Sequence, residues 1–354
     1  MTGILSDARS ALPRLLLALA IAALGGMLFF FLHLPLAFML GAMAATATAA
    51  ILGLPVATPR SVRPPMTALI GVILGSAVTP DVFDAMPGWT LPLALLPLFL
   101  LVSATVSIVY FRRVAGLDLK TAYFCGMPGG LVEMVLLGAQ HGADERTIAL
   151  VHALRVFLVV LILPFFMQFA LGLDLGQRPA TGAPAMPGLT DLAWVLVCLA
   201  GGSLAAHMLR LPLKFLLGPL LFSLALHLTG ISRFHLPDWV APAAQVVLGA
   251  TIGCRFGGID IRHLARILAL CLGSVLLLLA VTAGFAALAA SLDAHDFTAM
   301  LLAYSPGGLA EMSLVAYALH VEVMFVFALH VVRVVLVAFG AALVFRLPFF
   351  RETP

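Results

Sequence analysis

Charged residues are scarce in this chain of 354 residues, because Asp, Glu, Lys and Arg together make up only 10% of it. A soluble domain carries about 25% of them, so an ordinary soluble enzyme is excluded. The Lys and Arg residues are scattered through short loops without a basic tail or stripe, which argues against nucleic acid as a partner. No stretch between apolar segments is long enough to fold alone as a soluble domain.

Cysteine is also rare, and no two cysteines are paired in a CxxC motif. The four cysteines lie far apart in or beside apolar segments, which is typical of small apolar side chains and not of a disulfide framework: Cys125, Cys198, Cys254 and Cys271. A Walker loop, a GxGxxG turn and a GxSxG element are absent. We therefore predict that the chain is not an enzyme and that it uses no cofactor.

Apolar residues, by contrast, make up 63% of the chain. At about 20 residues per membrane-spanning helix, this is enough for roughly eleven spans, and the runs are far longer than the strands of a membrane barrel. The sequence therefore predicts an all-α polytopic membrane protein surrounded by membrane lipid. Twelve apolar segments form two sets of six, near residues 15–32, 34–54, 66–79, 90–111, 121–140, 147–171, 192–209, 211–230, 240–254, 267–291, 298–318 and 323–345.

The N-terminal segment resembles a signal peptide because Arg9 and Arg14 precede an apolar run. It is too long for one, and further spans follow it. We predict a retained first helix with its N-terminus in the cytoplasm, in a multi-pass protein of a bacterial inner membrane.

The two sets of segments are copies of each other. The motif Pro128-Gly-Gly-Leu-Val-Glu-Met134 recurs as Pro306-Gly-Gly-Leu-Ala-Glu-Met312, 178 residues later. At the same offset, 12 of the 33 residues from 128 to 160 are identical. We therefore predict an internal duplication with a first membrane repeat over 1–171, a Gly/Pro-rich linker over 172–190 and a second repeat over 191–354.

The charges of corresponding loops favour an inverted second repeat. The loop with Arg112, Arg113 and Lys120 corresponds to the loop with Asp293 and Asp296, which carries the opposite charge. Positive residues in short loops stay in the cytoplasm, so corresponding loops are expected on opposite sides of the membrane. Five spans plus one re-entrant or broken helix per repeat place 15 of 17 extramembrane Lys and Arg residues inside.

The Pro-Gly-Gly motifs predict a break in the fifth segment of each repeat. Proline ends the helical hydrogen-bond ladder, and we expect the glycines to allow a turn with positive φ. Transporters built from inverted repeats bind their solutes at such broken helices near the middle of the membrane. The predicted solute- or ion-binding residues are therefore Pro128, Gly129, Gly130, Pro306, Gly307 and Gly308.

Each break is followed by ionisable residues at matching positions. Glu133 and Glu311 lie within apolar segments, where a carboxylate is costly and usually functional. The pairs His152 with Arg155 and His330 with Arg333 each place two side chains on one helix face. We expect each Arg to form an ion pair with its Glu or to bind an anion, and each His to relay protons. A purely structural ion pair is the alternative, and no metal-ligand spacing is present.

On the duplicated Pro-Gly-Gly-Leu-x-Glu-Met motif, the chain resembles the bacterial AbrB family of inner-membrane proteins, whose domain is typically duplicated. The resemblance covers the chain outside its first dozen residues and the linker. It implies a membrane protein of a family that has been labelled an ammonia monooxygenase or a regulator of an alkylation-response gene. It is distinct from the small soluble DNA-binding regulator of the same name. The two motifs are preceded by different residues, Gly126-Met127 and Tyr304-Ser305.

Our leading hypothesis is a secondary transporter of a small solute, coupled to protons or another ion. A membrane-embedded regulator or sensor and a component of a membrane monooxygenase are the alternatives. A regulator needs a soluble output surface, and a monooxygenase needs a metal cluster and partner subunits. A homo-oligomer is compatible with each hypothesis.

The inverted arrangement can be tested by cysteine labelling in a Cys-free background. We expect Thr181→Cys, in the predicted linker, to react with a membrane-impermeant thiol reagent added from the periplasm. His263→Cys lies in a loop predicted to be cytoplasmic and should stay unlabelled. Labelling of His263→Cys with protection of Thr181→Cys would show that the predicted topology is wrong.

Overall fold

The computed structural model describes residues 2–173, 175, 188–211, 213–232, 234, 236–292 and 296–344. All secondary-structure elements assigned within these ranges are helices, which confirms the all-α prediction. Most of the predicted linker lies outside the described residues, including Arg178 and Thr181, and so do Arg233, Asp293 and His295.

Sixteen α-helices follow one another along the described residues. In the first half of the chain they are α1 Thr2–Phe31, α2 Ala37–Ile51, α3 Arg63–Ser76, α4 Val82–Ala85, α5 Thr90–Arg113, α6 Leu119–Gly126, α7 Leu131–Gln140 and α8 Glu145–Phe169. In the second half they are α9 Leu189–Val197, α10 Ser203–Met208, α11 Lys214–Leu228, α12 Val240–Gly253, α13 Ile261–Leu292, α14 Phe297–Tyr304, α15 Leu309–Ala318 and α16 Val323–Val344. Each of the twelve apolar segments coincides with one of these helices or with two consecutive ones.

Five helical stretches of the described residues are long and apolar enough to cross a bilayer: Ala11–Phe31, Val82–Arg113, Glu145–Phe169, Leu189–Met208 and Arg262–Leu292. The helices α2, α3, α11 and α12 are also apolar but have only 14 or 15 residues. At 1.5 Å per residue they rise about 22 Å, against a hydrocarbon core of about 30 Å. The fold is therefore that of a polytopic membrane protein with several helices shorter than a full span.

The turns before α2 and α11 show the duplication in the backbone. His33 and Leu36 have positive φ angles of 53° and 43°, and Arg210 and Leu213 have angles of 54° and 51°. Positive φ is unusual for side chains of this size, so its recurrence at matching positions is not a product of shared apolar composition. Both turns contain the repeated Leu-Pro-Leu sequence.

The helices group into two compact units, and each unit takes helices from both halves of the chain. The first unit comprises residues 1–82, 161–259 and 313–323, and the second unit comprises residues 83–160, 260–312 and 324–354. All twelve predicted site residues belong to the second unit.

Within the first unit, the helices of the two halves pack against each other reciprocally. A Cβ atom on Gly71 of α3 would lie 2.5 Å from the carbonyl oxygen of Leu216 on α11. A Cβ atom on Gly249 of α12 would lie equally close to the carbonyl oxygen of Met39 on α2. Because Leu216 corresponds to Met39 in the Leu-Pro-Leu repeat, the two contacts are the same with the halves exchanged. The packing between the two halves of the chain is therefore reciprocal within this unit.

Small residues make this packing possible, because apolar helices in lipid associate through close backbone contact. Gly25 on α1 touches Gly41 on α2, and Gly202, just before α10, touches Gly218 on α11 at the matching positions. Gly75 and Gly253 extend the contacts of Gly71 and Gly249 by one helical turn. Side chains larger than hydrogen at these positions would push the helices apart.

Within the second unit, α5 and α13 are the corresponding long helices of the two halves, and they pack side by side. The hydroxyl oxygens of Ser107 and Ser274 are 3.2 Å apart. The ring centroids of Phe99 and Phe285 are 5.4 Å apart. Because residue numbers rise along α5 between these contacts and fall along α13, the two helices run antiparallel.

The close packing in the first unit predicts that adding a single methyl group at Gly253 destabilises the protein. In Gly253→Ala the new Cβ would meet the side chain of Thr46 and the backbone of Met43, and overpacking of this kind typically costs about 1–3 kcal/mol. The matched control is Gly284→Ala on α13, where nothing lies within 4 Å of the new Cβ. It should increase stability by about 0.5–1 kcal/mol. Thermal unfolding in detergent measures both effects, and equal melting temperatures would contradict the packing.

Candidate functional site

The first Pro-Gly-Gly motif interrupts a helix, as predicted. Helix α6 ends at Gly126 and α7 begins at Leu131, and we call residues 127–130 the first break. The two helices have 8 and 10 residues, which gives lengths of about 12 and 15 Å. Neither is long enough to cross a bilayer.

The two helices around the first break form a hairpin. The Thr121 hydroxyl at the start of α6 accepts a hydrogen bond of 3.0 Å from the backbone N–H of Asp144, just after α7. The rings of Phe124 and His141 lie 5.9 Å apart, which also joins α6 to the far end of α7. The chain therefore turns back on itself after the break, so that the start of α6 lies near the end of α7.

The second motif interrupts a helix in the same way. Helix α14 ends at Tyr304 and α15 begins at Leu309, and we call residues 305–308 the second break. Each break is preceded by a short helix capped by an aspartate. Asp118 accepts a hydrogen bond of 3.0 Å from Thr121 N, and Asp296 accepts one of 3.1 Å from Thr298 N.

The prediction of a positive φ at the motif glycines is wrong. The glycines of positive φ in the described residues are Gly53, Gly116, Gly142, Gly172, Gly230 and Gly258. Gly130 has an extended backbone, with φ −69° and ψ 145°, which any residue can adopt. Glycine is needed at the breaks for a different reason.

Both positions of each motif are glycine because a larger residue would collide with a neighbouring side chain. A Cβ atom on Gly129 would lie 2.8 Å from Cε of Met134, and one on Gly307 would lie 2.8 Å from Met312. A Cβ atom on the second glycine would collide with a carboxylate oxygen of Glu133 or Glu311. The Met and Glu side chains thus fold back over the break, so the spacing in Pro-Gly-Gly-Leu-x-Glu-Met has a steric cause.

Each glutamate lies in the first turn of the helix that follows its break. The N-terminal turn has free backbone N–H groups and a partial positive charge, and a carboxylate there is stabilising. The two glutamates differ in burial, because Glu133 is exposed and Glu311 is only 2% exposed. The second carboxylate is therefore the more deeply buried of the two.

The arginines bind the backbone of the breaks. Arg155 on α8 donates from Nη1 to the carbonyl of Met127 at 2.9 Å and from Nη2 to the carbonyl of Gly129 at 3.0 Å. Arg333 on α16 donates in the same way to the carbonyls of Ser305 and Gly307. These carbonyls lie just beyond the ends of α6 and α14, where a cation is also favoured by the helix dipole. Each Arg is therefore a clamp on a broken helix.

The hydrogen bonds described for the two guanidinium groups at the breaks go to backbone carbonyls. Both terminal nitrogens of Arg155 and of Arg333 are used by carbonyl oxygens. Arginine holds the carbonyl end of each break, and glutamate lies at the N–H end. The two charges stabilise opposite ends of one interrupted helix.

The histidines are fully buried but bonded differently. His152 donates from Nε2 to the carbonyl of Phe124 at 2.8 Å and accepts from Arg155 Nη2 at Nδ1, 3.0 Å away. His330 donates from Nδ1 to the carbonyl of Val326 at 2.9 Å, within its own helix. Among the described residues, the histidine of a His-x-x-Arg pair is therefore hydrogen-bonded to its arginine in the first half and not in the second.

Both arginine clamps lie in the second unit. Pro128 and Pro306 are buried beside them. Among the described residues, no three His, Cys, Asp or Glu side chains gather in a way that could hold a metal ion. The steric role of Met134 and Met312 was not predicted from the sequence, although both residues recur with the motif.

The fold and this site define a polytopic membrane protein with a duplicated, arginine-clamped helix break. The model of the AbrB family, described as transition state regulatory protein AbrB, matches residues 38–348. The chain therefore belongs to the AbrB family, and the resemblance seen in the sequence is confirmed.

Two relatives extend along most of the chain. The protein named "Putative regulator AbrB" from Escherichia coli (strain K12) is 28% identical over 309 residues, which cover 86% of this chain and 88% of that protein. The "Uncharacterized protein YhjN" of Bacillus subtilis (strain 168) is 27% identical over 283 residues, which cover 76% of this chain and 74% of that protein.

The clamp geometry predicts that Glu133 and Arg155 act independently on stability. Arg155→Gln should destabilise the protein by about 3 kcal/mol or more, because it removes three hydrogen bonds from a charged donor, two to carbonyls and one to His152. Glu133→Gln should cost about 1 kcal/mol or less, because the side chain is exposed at a helix N-terminus. In a double-mutant cycle on thermal unfolding, the interaction energy should stay below about 0.5 kcal/mol.

Arg333→Gln is the matched comparison, because Arg333 holds the corresponding two carbonyls. The loss of stability in Arg333→Gln should be similar to that in Arg155→Gln. A Glu133→Gln, Arg155→Gln double variant close to wild type in stability would contradict this geometry. Such recovery is the signature of a buried ion pair.

Proposed function

We propose that this protein is a secondary transporter of a small solute, coupled to protons or another ion, with its site at the two breaks. The observation that carries the proposal is the same interrupted helix occurring twice in one compact unit, each time with an arginine on its carbonyl end and a glutamate on its N–H end. Helix breaks of this kind are tolerated at membrane depth where they are buried in protein or line a wet cavity. In transporters they form the binding site.

The antiparallel packing of α5 and α13 supports an inverted repeat. These helices correspond to each other in the two halves, and the stretches that contain them are each long enough to cross the membrane. If both cross it in opposite directions, corresponding loops face opposite sides, in agreement with their opposite charges. We place the protein in the bacterial inner membrane with its N-terminus in the cytoplasm.

In this proposal the glutamates are the coupling groups. A charged carboxylate at the N-terminal turn of a short helix is stabilised by the helix dipole, typically by about 0.3–1 kcal/mol. Protonation removes this interaction, so proton binding at Glu133 or Glu311 would loosen the folded-back side chain from its break. Glu311 is the stronger candidate because a buried intramembrane carboxylate is costly unless it has a function.

The arginines would hold the backbone of the breaks in place while the glutamates gain or lose a proton. A guanidinium on two backbone carbonyls holds its charge and geometry, since Arg stays protonated in proteins. A solute could then approach the freed N–H groups of α7 or α15, which form an anion-binding helix end.

A membrane-embedded regulator is the second candidate, favoured by the name of the Escherichia coli relative. A transporter whose solute feeds a regulatory pathway would have the same genetic effect. The two candidates differ in whether purified protein moves a solute across a membrane without any other protein.

A ligand screen by thermal shift on detergent-purified protein tests the transporter proposal. A bound solute at 100 times its Kd should stabilise the folded protein by about 2.7 kcal/mol. We expect a solute that stabilises wild type to have no effect on Glu311→Gln and a reduced effect on Glu133→Gln. The control Glu145→Gln changes an exposed carboxylate outside the breaks and should respond as wild type does.

Uptake of the same solute into proteoliposomes completes the test. Uptake by wild type that is lost in Glu311→Gln would support transport at the second break. A solute that binds without being taken up would favour the regulator, and binding that survives in both glutamate variants would exclude the breaks as the site.

A further inference from the structure

The two breaks differ in how they use their histidines. In the first half, both ring nitrogens of His152 have partners, the carbonyl of Phe124 and the guanidinium of Arg155. In the second half, Nδ1 of His330 has a partner and Nε2 has none among the described residues, although His330 is 0% exposed. Since Nδ1 donates to a carbonyl, the neutral ring leaves Nε2 as an acceptor.

A serine accounts for this difference. Phe124, whose carbonyl accepts from His152, corresponds to Leu302 at the offset of 178. The carbonyl of Leu302 accepts a hydrogen bond of 2.9 Å from the hydroxyl of Ser305. Met127, at the matching position of the first break, has no hydroxyl. Ser305 thus occupies the carbonyl that a histidine occupies in the first half, and His330 turns to Val326.

An unpartnered donor accompanies the unpartnered acceptor. Nε of Arg333 is buried and has no hydrogen-bond partner, while both of its terminal nitrogens hold the second break. His330 and Arg333 are three residues apart and share one face of α16. Arg155 also has an unpartnered Nε, but the ring beside it is fully bonded. Of the two His-x-x-Arg pairs, only the one in the second half therefore combines an acceptor and a donor that both lack a partner among the described residues.

A buried polar atom without a partner costs about 1–3 kcal/mol, and such groups in native proteins call for an explanation. A cationic ligand group is disfavoured here, because the Arg333 guanidinium is adjacent. A group that both donates from O–H or N–H and accepts at oxygen would satisfy both side chains. Hydroxy acids and carboxamides have this chemistry.

We propose that the second half carries the solute-recognising pair, in which His330 Nε2 accepts from a hydroxyl or amide N–H of the solute and Arg333 Nε donates to its oxygen. The first half has the structural role, with His152 and Arg155 closing the first break. This inference rests on the proposed transport function and names its solute class.

The test uses purified full-length protein labelled with a nitrogen isotope at histidine, and glycolate and acetate as probes. The two anions differ by one hydroxyl group. Nitrogen NMR should identify His330 as the Nδ1–H tautomer and His152 as the Nε2–H tautomer, with assignments from His330→Gln and His152→Gln. Glycolate should shift the Nε2 resonance of His330 and leave His152 unchanged, and acetate should shift neither.

Ser305→Ala is the decisive variant, because it is mild and removes the hydroxyl group from the carbonyl of Leu302, which keeps only its hydrogen bond from the backbone N–H of residue 305. We expect His330 to switch to the Nε2–H tautomer and to lose its response to glycolate. The matched control Met127→Ala changes the corresponding residue of the first break and should keep the response. Equal responses to both anions, no response to glycolate in wild type, or a response that survives in Ser305→Ala would each overturn the proposal.

Proteoliposome uptake separates this inference from the transport function. Glycolate that shifts His330 but does not enter the vesicles would leave the recognition pair standing and contradict transport. Uptake of another solute that persists in both His330→Gln and Ser305→Ala would leave transport standing and overturn the recognition pair.

Discussion

The hydrogen bonds from Arg155 and Arg333 to the carbonyls of the two breaks are the interaction on which the rest of the second unit depends. A helix interrupted within the membrane exposes backbone groups that lipid cannot satisfy. The arginine of the next helix in sequence supplies two donors to the carbonyl end, and a glutamate lies at the N–H end. With both ends satisfied, the chain can turn back after α6 and form a helical hairpin.

Glycines allow close packing in both units. In the first unit, glycines bring α3 onto α11 and α12 onto α2, with the second pair a copy of the first. At the breaks, glycines make room for a methionine and a carboxylate instead of a neighbouring backbone. In each case the absent side chain matters more than the freedom of the backbone, because the glycines concerned have ordinary φ angles.

Duplication supplies a comparison within one molecule. The arginine clamps have been kept identical, down to the carbonyls that they contact, which is expected where loss of a buried charged donor is costly. The histidines and glutamates have diverged in bonding and burial. A single hydroxyl at Ser305 is enough to change the bonding of His330, and it does so without changing the clamp. In our proposal, stability and solute recognition are therefore assigned to different residues of the same motif.

The sequence alone determined the class of fold, the twelve apolar segments, the duplication and the two helix breaks, because these depend on composition and on local rules for proline and repeat spacing. It also pointed to Glu133, Glu311 and the two His-x-x-Arg pairs. Only the tertiary structure decided what these residues contact. The guanidinium groups donate to the carbonyls of the breaks, and the glycines serve close packing and not a left-handed turn. Nε2 of His152 is bonded, whereas Nε2 of His330 has no partner among the described residues. These facts depend on which atoms meet across helices that are far apart in sequence, and residue spacing along one helix carries no information about them.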